Sequence, residues 1–240
     1  MRWKTWLASF VILALAVPTA LYLGSLDWGR SHTQYVNALP LLSTDDDRGE
    51  FRIKAAGFEF RARVAGLQNE GDGVILLHGF PESSIMWTPL IEPLAQAGYR
   101  VLAIDQRGYS PGARPEEIED YEAATLARDV IALADKVGFD DFHLVGHDWG
   151  SAVGWVTVFN HADRIRSWTG MAIPHLGAFN NGMINNPDQA QRSKYFALFR
   201  KPMLTEFILT YNGQSRFAKL MTRKPEEQRN EYLGIQAEPG

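Results

Sequence analysis

Apolar residues follow two different spacings along the chain, and these predict strands and helices in alternation. Residues 74–77 and 101–104 are continuously apolar, which is typical of strands buried on both faces of a parallel sheet. Residues 58–64 alternate apolar and polar side chains, which predicts a half-buried antiparallel strand. Further strands are predicted at residues 51–54, 142–145 and 165–172.

Helical spacing of apolar residues occupies the segments between the later strands. Residues 122–137 carry Leu126, Val130 and Leu133 on one helical face, and Gly138 closes the pattern. Strand and helix alternate at least three times, which predicts an α/β fold with a mostly parallel, doubly wound sheet. The other helical stretches are predicted at residues 84–98 and 151–159 and, after Pro174, at residues 189–199, 204–211 and 226–233.

The N-terminus is predicted to be a separate hydrophobic helix. Arg2 and Lys4 precede an uncharged run over residues 7–23, which is long enough to cross a bilayer. The run predicts either an uncleaved membrane anchor or a cleaved signal peptide. In both cases the remaining chain is expected on the exported side, periplasmic or extracellular.

Composition narrows the function classes. The chain of 240 residues has 24 basic and 28 acidic side chains, a net charge of -4, and so no electrostatic footprint for nucleic acid. It has no cysteine, which excludes disulfides, Cys-ligated zinc and a thiol nucleophile.

The chain is predicted to divide into four segments. These are a signal or anchor at 1–24, a linker at 25–50, an α/β core at 51–173 and a partial helical lid at 174–240.

The candidate chemistry centres on Asp148, where a predicted strand meets a predicted helix. Gly146 and Gly150 flank it at two residues on either side, the spacing that a sharp strand-to-helix turn needs around a nucleophile. An aspartate side chain is ionised at neutral pH and needs no base to attack. Attack on a saturated carbon would form an alkyl ester, as in epoxide opening or halide displacement.

Three motifs lie at or near the ends of predicted strands. They are His78-Gly79-Phe80-Pro81 with Trp87, Asp105-Gln106-Arg107-Gly108-Tyr109-Ser110, and Gly146-His147-Asp148-Trp149-Gly150. Together they resemble the epoxide hydrolase branch of the α/β-hydrolase superfamily. The resemblance implies that Asp148 is the nucleophile and that the amides of Phe80 and Trp149 form an oxyanion hole. It also implies a cis peptide bond at 80–81.

The same resemblance assigns supporting roles around the nucleophile. Asp105 and Arg107 resemble the loop-bracing pair of this family, and His78 is expected to hold its loop rather than to bind zinc or act as a base. Trp87, Phe80 and Trp149 are expected to line a pocket for a small apolar substrate. The chain shows no metal, nucleotide or flavin motif, so no cofactor is expected.

A further similarity concerns Tyr195. The stretch from Tyr195 to Pro202 is similar to the Y-x-x-x-F-x-x-P segment that carries a ring-opening tyrosine in the lid of epoxide hydrolases. A phenol placed over the ring oxygen can stabilise and protonate the alkoxide that forms when an epoxide opens. Tyr195 is therefore the candidate acid.

One expected group does not occur in the chain. The superfamily order is nucleophile, acid, then histidine, and no histidine follows His175. We therefore expect a C-terminally truncated hydrolase that forms the Asp148 ester but lacks the base to hydrolyse it.

Two other functions stay open. The first is a haloalkane dehalogenase, which shares the aspartate and Trp149 but usually carries asparagine in place of Phe80 and has no use for Tyr195. The second is a non-catalytic, membrane-tethered fragment.

Overall fold

A six-stranded sheet forms the centre of the computed structural model, which describes residues 30–199 and 225–237. The strand order is β1-β2-β4-β3-β5-β6. The strands are β1 (Gly49–Ala55), β2 (Phe58–Ala65), β3 (Gly73–Leu77), β4 (Arg100–Ile104), β5 (Phe142–His147) and β6 (Ile165–Met171). All six predicted strands are confirmed within a few residues of their expected ends.

Pairing within the sheet is mostly parallel, as predicted. β2 pairs antiparallel with both β1 and β4, whereas β4, β3, β5 and β6 are mutually parallel. The parallel strands have their carboxyl ends at one edge of the sheet, so the loops that follow them meet there. β6 is the last strand in the sheet order, and most of its side chains are exposed.

The helices connect these strands and follow the expected spacing. The helices of the sheet region are α2 (Thr88–Gln96), after a 3-10 turn at Ser84–Trp87, α3 (Ala123–Lys136) and α4 (Trp149–Asn160). The later helices are α5 (Leu176–Asn185), α6 (Pro187–Arg192), α7 (Tyr195–Phe199) and α8 (Glu226–Ala237). The three helices predicted between strands are confirmed.

Alternate side chains of the central strands enter two cores on opposite faces of the sheet. Leu77 and Ile104 belong to the larger core, which α3 and α4 cover. Their neighbours Leu76 and Ala103 belong to the smaller core, which α2 covers. This alternation explains why both central runs are continuously apolar, because each face of the strand is buried.

The segment predicted as a linker, 25–50, contains regular structure. Residues 30–38 are helical (α1), and β1 begins at Gly49. Pro40, which suggested an irregular segment, follows the described part of this helix instead of interrupting it. One helical face carries His32 and Val36, four residues apart and both buried, so the helix is held by packing.

Other segments differ from the expectation or lie outside the described residues. The helix predicted at 189–199 is two helices, α6 and α7, and α5 was not predicted. The stretch 204–211 and the hydrophobic segment 1–24 lie outside the described residues. Within residues 30–199 and 225–237, none of the helices combines the length and apolar character needed to span a bilayer.

The chain divides into two compact units. The first, Tyr35–Ser193, contains the whole sheet and its helices up to α6. The second combines Met1–Gln34 with Lys194–Pro239. In the described part of this second unit, α8 buries Tyr232, and Gly234 packs against His32.

Candidate active site

The turn between β5 and α4 holds Asp148 in an uncommon backbone conformation. Its φ of 52° and ψ of -119° are sparsely populated by residues with a side chain. The turn is fixed by its own hydrogen bonds, because the Asp148 N–H donates to Met171 O at 3.1 Å and its carbonyl accepts from Ser151 N at 2.9 Å. The carboxylate is thereby presented at a sharp corner beyond the end of the strand.

The glycines around Asp148 are required by backbone contacts. A Cβ atom at Gly146 would lie 2.5 Å from Gly150 O, and one at Gly150 would lie 2.3 Å from Leu77 O and 2.5 Å from His78 O. These distances are well below an ordinary carbon–oxygen contact. The expectation that small residues are needed at both positions is confirmed, with the neighbouring strand and helix as the reason.

The carboxylate of Asp148 is held from the loop that follows β3. The Phe80 N–H donates to Asp148 Oδ1 at 2.9 Å. The loop approaches closely, because a Cβ atom at Gly79 would lie 2.4 Å from Asp148 Cβ. Asp148 is half-buried, and the peptide bond between Phe80 and Pro81 is cis. One carboxylate oxygen of Asp148 is therefore fixed by a backbone donor.

Trp149 contributes the first amide of α4. The first amides of a helix have no partner within that helix, and they favour negative charge nearby. The side chain of Trp149, next to Asp148 in the chain, is 51% exposed. The position suits the expected second oxyanion donor, whose role stays a prediction.

His78 is a fully buried residue with a structural set of hydrogen bonds. Its Nε2 accepts from the Gln106 N–H at 3.1 Å, and its Nδ1 lies 2.9 Å from Gly79 O. With Nε2 as an acceptor, the proton is on Nδ1 and is donated to Gly79 O. Both ring nitrogens are engaged, which favours the expected loop-holding role over a zinc ligand or a base.

Asp105 braces the same loop from the end of β4. Its Oδ1 accepts from Ser84 N at 2.7 Å, and its Oδ2 lies 3.6 Å from Arg61 Nη1. Burial alone would raise the pKa of Asp105, but the charges of Arg61 and Arg63 and the hydrogen bond from Ser84 outweigh it and lower that pKa to about 2. The buried carboxylate therefore stays ionised.

Arg107 braces a different part of the unit. Its guanidinium makes a two-pronged contact with the buried Asp129 of α3, with Nε to Oδ2 at 2.8 Å and Nη2 to Oδ1 at 2.7 Å. The two members of the expected bracing pair thus fix the β4 loop to two neighbours, the Phe80 loop through Asp105 and α3 through Arg107.

Three titratable residues near Asp148 were not singled out from the sequence. His147 Nδ1 lies 3.4 Å from Glu82 Oε2. This contact joins the turn at residues 146–150, called the elbow below, to the loop that carries Phe80. The Tyr109 ring packs edge-on against His78, and burial, followed by the charges of Asp148 and Glu82, raises the pKa of Tyr109. All three adjoin or belong to the quoted motifs, and that adjacency was the available signal.

Trp87 and Tyr195 are the two remaining predicted site residues. Trp87 packs in the smaller core against α2 and is 6% exposed, a placement that favours packing; its pocket role stays a prediction. Tyr195 is the first residue of α7 in the second unit, is 49% exposed and stacks on Phe196. Its role as an acid also stays a prediction. Among the described residues, no group of three potential metal ligands comes together.

Comparison with known proteins decides the family. The sequence model of the alpha/beta hydrolase fold matches residues 73–230, which include every motif around Asp148. The chain belongs to the α/β-hydrolase fold family. It resembles epoxide hydrolases in particular, as the motifs had indicated.

Several relatives support that closer resemblance. The chain is 30% identical over 217 residues to epoxide hydrolase 3 of Xenopus tropicalis, covering 89% of this chain and 57% of that protein. It is 41% identical over 153 residues to epoxide hydrolase A of Mycobacterium tuberculosis, covering 61% and 46%. The crystal structure of an epoxide hydrolase variant from Vigna radiata superposes with a TM-score of 0.62 at 31% identity, covering 74% and 56%. The chain thus spans about half the length of the curated relatives it matches.

Proposed function

We propose that this hydrolase opens epoxides to vicinal diols through an ester on Asp148. The observation that carries the proposal is the Asp148 carboxylate at the elbow, with Oδ1 held 2.9 Å from the Phe80 amide. A serine in this place would need a base to become nucleophilic, whereas a carboxylate is suited to attack a saturated carbon directly. The epoxide hydrolase relatives support the same reaction class.

The proposed reaction has two steps. The free carboxylate oxygen of Asp148 bonds to one epoxide carbon, the bond from that carbon to the ring oxygen breaks, and the electron pair moves to the ring oxygen. The alkoxide takes up a proton. Water then adds to the ester carbonyl, the bond from the carbonyl carbon to the alkyl oxygen breaks, and that oxygen takes up one proton of the water to give the diol. The other proton of the water replaces the one given up in the first step, and the Asp148 carboxylate is regenerated. Epoxide and water are the only reactants consumed.

Tyr195 is the proposed proton donor for the alkoxide. Support comes from its sequence context and from its place in the segment 174–240, which we assign to a partial helical lid on the same grounds. A phenol is neutral near pH 7 and can donate a hydrogen bond as negative charge develops. The proposed substrate is a small apolar epoxide, a class chosen from the relatives and from the aromatic residues Phe80 and Trp149 near the elbow.

The test uses the 240-residue chain with styrene oxide and, separately, with 1-bromobutane. The expected result is loss of styrene oxide with the opened epoxide held as an ester on Asp148, because no histidine follows His175 in this chain to activate the water of the second step. No bromide release above the buffer control is expected. An Asp148→Asn variant, which keeps the shape of the side chain but not its charge, should lose the reaction. Bromide release without epoxide consumption would replace the proposal with dehalogenation, and inactivity towards both would favour a non-catalytic chain.

We propose that residues 1–24 place the protein at a membrane or direct its export. The uncharged run after Arg2 and Lys4 supports this proposal. Fractionation of expressing cells, followed by N-terminal sequencing, tests it. Recovery in the membrane fraction with an intact N-terminus supports an anchor, and a processed periplasmic form supports a signal peptide. An unprocessed protein in the cytoplasmic fraction would contradict both.

A further inference from the structure

We infer that Gln106 is a positioning residue for the proposed reaction, because its amide fixes the start of the loop that carries the Phe80 donor. This inference rests on the proposed function. The loop in question, residues 78–84, follows β3 and is called the donor loop below. Its two ends are held by two consecutive residues, Gln106 and Asp105, which leave the end of β4 together.

Gln106 holds the first end of the donor loop with two separate groups. Its side-chain Nε2 donates to the His78 carbonyl at 2.5 Å, and its backbone N–H donates to His78 Nε2 at 3.1 Å. The backbone bond fixes the histidine ring, and the side-chain bond fixes the direction of the carbonyl. Only the side-chain bond depends on the identity of residue 106.

Asp105 holds the other end of the donor loop. Its Oδ1 accepts from Ser84 N at 2.7 Å, and Arg63 Nη1 donates to Ser84 Oγ at 2.6 Å. Ser84 is fully buried. The two ends are therefore anchored independently, and Phe80 lies between them with its N–H on Asp148 Oδ1 at 2.9 Å.

The His78 carbonyl is a sensitive point because it also touches the nucleophile elbow. A Cβ atom at Gly150 would lie 2.5 Å from His78 O, so this carbonyl already packs tightly against the elbow. Rotation of the His78–Gly79 peptide would disturb both this contact and the Phe80 amide two residues later. Gln106 restrains that rotation, and so it acts on Asp148 through the donor loop.

Within the part of the chain that the structure describes, the Gln106 side-chain amide is hydrogen-bonded through its nitrogen but not through its oxygen. Its Oε1 is buried and has no hydrogen-bond partner among the described residues, and the residue as a whole is 7% exposed. A buried acceptor without a partner is unfavourable for folding. The side-chain amide of Gln106 therefore adds little to the stability of the fold, which agrees with a role in positioning His78.

The unpaired oxygen makes Gln106→Met an informative variant. Methionine has a similar length and volume, removes the donor to His78 O and also removes the unpaired Oε1. These two changes have opposite effects on folding, so the midpoint of urea unfolding is expected to stay near that of wild type. The backbone bond to His78 Nε2 is retained, because it does not depend on the side chain.

The assay is the single-turnover consumption of styrene oxide with the full chain in excess, measured against protein concentration. For Gln106→Met we expect the maximal rate constant to fall about 10-fold or more, with half-saturation changed by less than about twofold. Substitution of a residue with only a structural role would not lower the maximal rate constant of the folded protein while leaving half-saturation unchanged. Should Gln106→Met fail to fold, Gln106→Asn, which is too short to reach His78 O, is expected to show the same loss.

Asn69→Leu is the matched control. Asn69 also donates through its amide to buried backbone carbonyls, Ala95 O and Tyr99 O, both at 2.9 Å, but it is not part of the site. This variant should lower the urea midpoint and leave the maximal rate constant of the folded protein unchanged. If wild type reacts and Gln106→Met reacts equally fast, the inference is wrong. If wild type does not consume styrene oxide, the proposed function fails, and the inference fails with it.

Discussion

Replacement of Gly150 by alanine tests whether the elbow is as tightly packed as the structure shows. The added Cβ would lie 2.3 Å from Leu77 O and 2.5 Å from His78 O. Both atoms belong to the backbone at the end of β3, so no side chain can rotate away. To restore an ordinary carbon–oxygen contact, the start of α4 must move by about 1 Å relative to β3.

The expected cost follows from that displacement. Overpacking in a close-packed region lowers the free energy of unfolding by about 1–3 kcal/mol. The higher helix propensity of alanine compared with glycine offsets about 0.5–1 kcal/mol of that loss. Gly150 is not among the glycines with positive φ, so the alanine backbone itself is unstrained. We expect a net loss of about 1–2 kcal/mol in the free energy of unfolding. Because Asp148 moves with the elbow, the rate should fall about 100-fold.

Gly182→Ala provides the control, since Gly182 lies inside α5 and its added Cβ would be 3.5 Å from Gln189 Cγ, an ordinary contact. This variant should be more stable than wild type by about 0.5–1 kcal/mol. Urea unfolding followed by tryptophan fluorescence gives the free energies, and single-turnover consumption of styrene oxide gives the rates. If Gly150→Ala is stabilised as much as Gly182→Ala and keeps the wild-type rate, the close approach of α4 to β3 is refuted.

Three further predictions concern charges and the proposed acid. Arg107→Met should destabilise the fold by about 3–5 kcal/mol, because it leaves the buried Asp129 carboxylate without its partner; urea unfolding measures the loss, and the double variant Arg107→Met/Asp129→Leu should recover most of it. The pKa of Asp105, lowered to about 2 in the folded chain, lies below the value of about 3.9 expected when unfolded, so the unfolded chain binds this proton more readily. This carboxylate should therefore contribute about 2 kcal/mol of stability above about pH 4, lost as the pH falls towards 2. Asp105→Asn should unfold with a shallower acid dependence in that window, and an unchanged slope would contradict the assignment. Tyr195→Phe should slow epoxide opening about 100-fold or more without changing the urea midpoint, and a wild-type rate would exclude the phenol as the acid.

Local sequence patterns were sufficient to predict the strands of the sheet and the sharp turn at Asp148. Residues 74–77 and 101–104 are apolar at every position because each strand is covered on both faces, and that property is visible in a short window. Gly146 and Gly150 could likewise be interpreted together with Asp148, because their spacing reflects a steric requirement of one turn. These elements depend on contacts that the strand–turn–helix geometry itself creates.

The missed features depend on contacts between distant parts of the chain. The helix at 30–38 has few apolar residues and is held by the burial of His32 and Val36. In the sequence, Gly29 and Pro40 favoured an irregular segment instead. Glu82 and His147 are 65 positions apart in the sequence, and nothing in either local pattern indicates that they meet. The contact of Gln106 with His78 O spans 28 positions and is equally invisible in the sequence.

The central claim is that the Asp148 carboxylate is the nucleophile, and the most direct measurement is peptide mapping after reaction with styrene oxide. Protein in excess is quenched in acid at early times, digested and analysed by mass spectrometry. The account predicts a styrene oxide adduct on Asp148 that forms at the rate of epoxide loss and is absent in Asp148→Asn. Epoxide consumption without this adduct, or an adduct that persists unchanged in the Asp148→Asn variant, would contradict it.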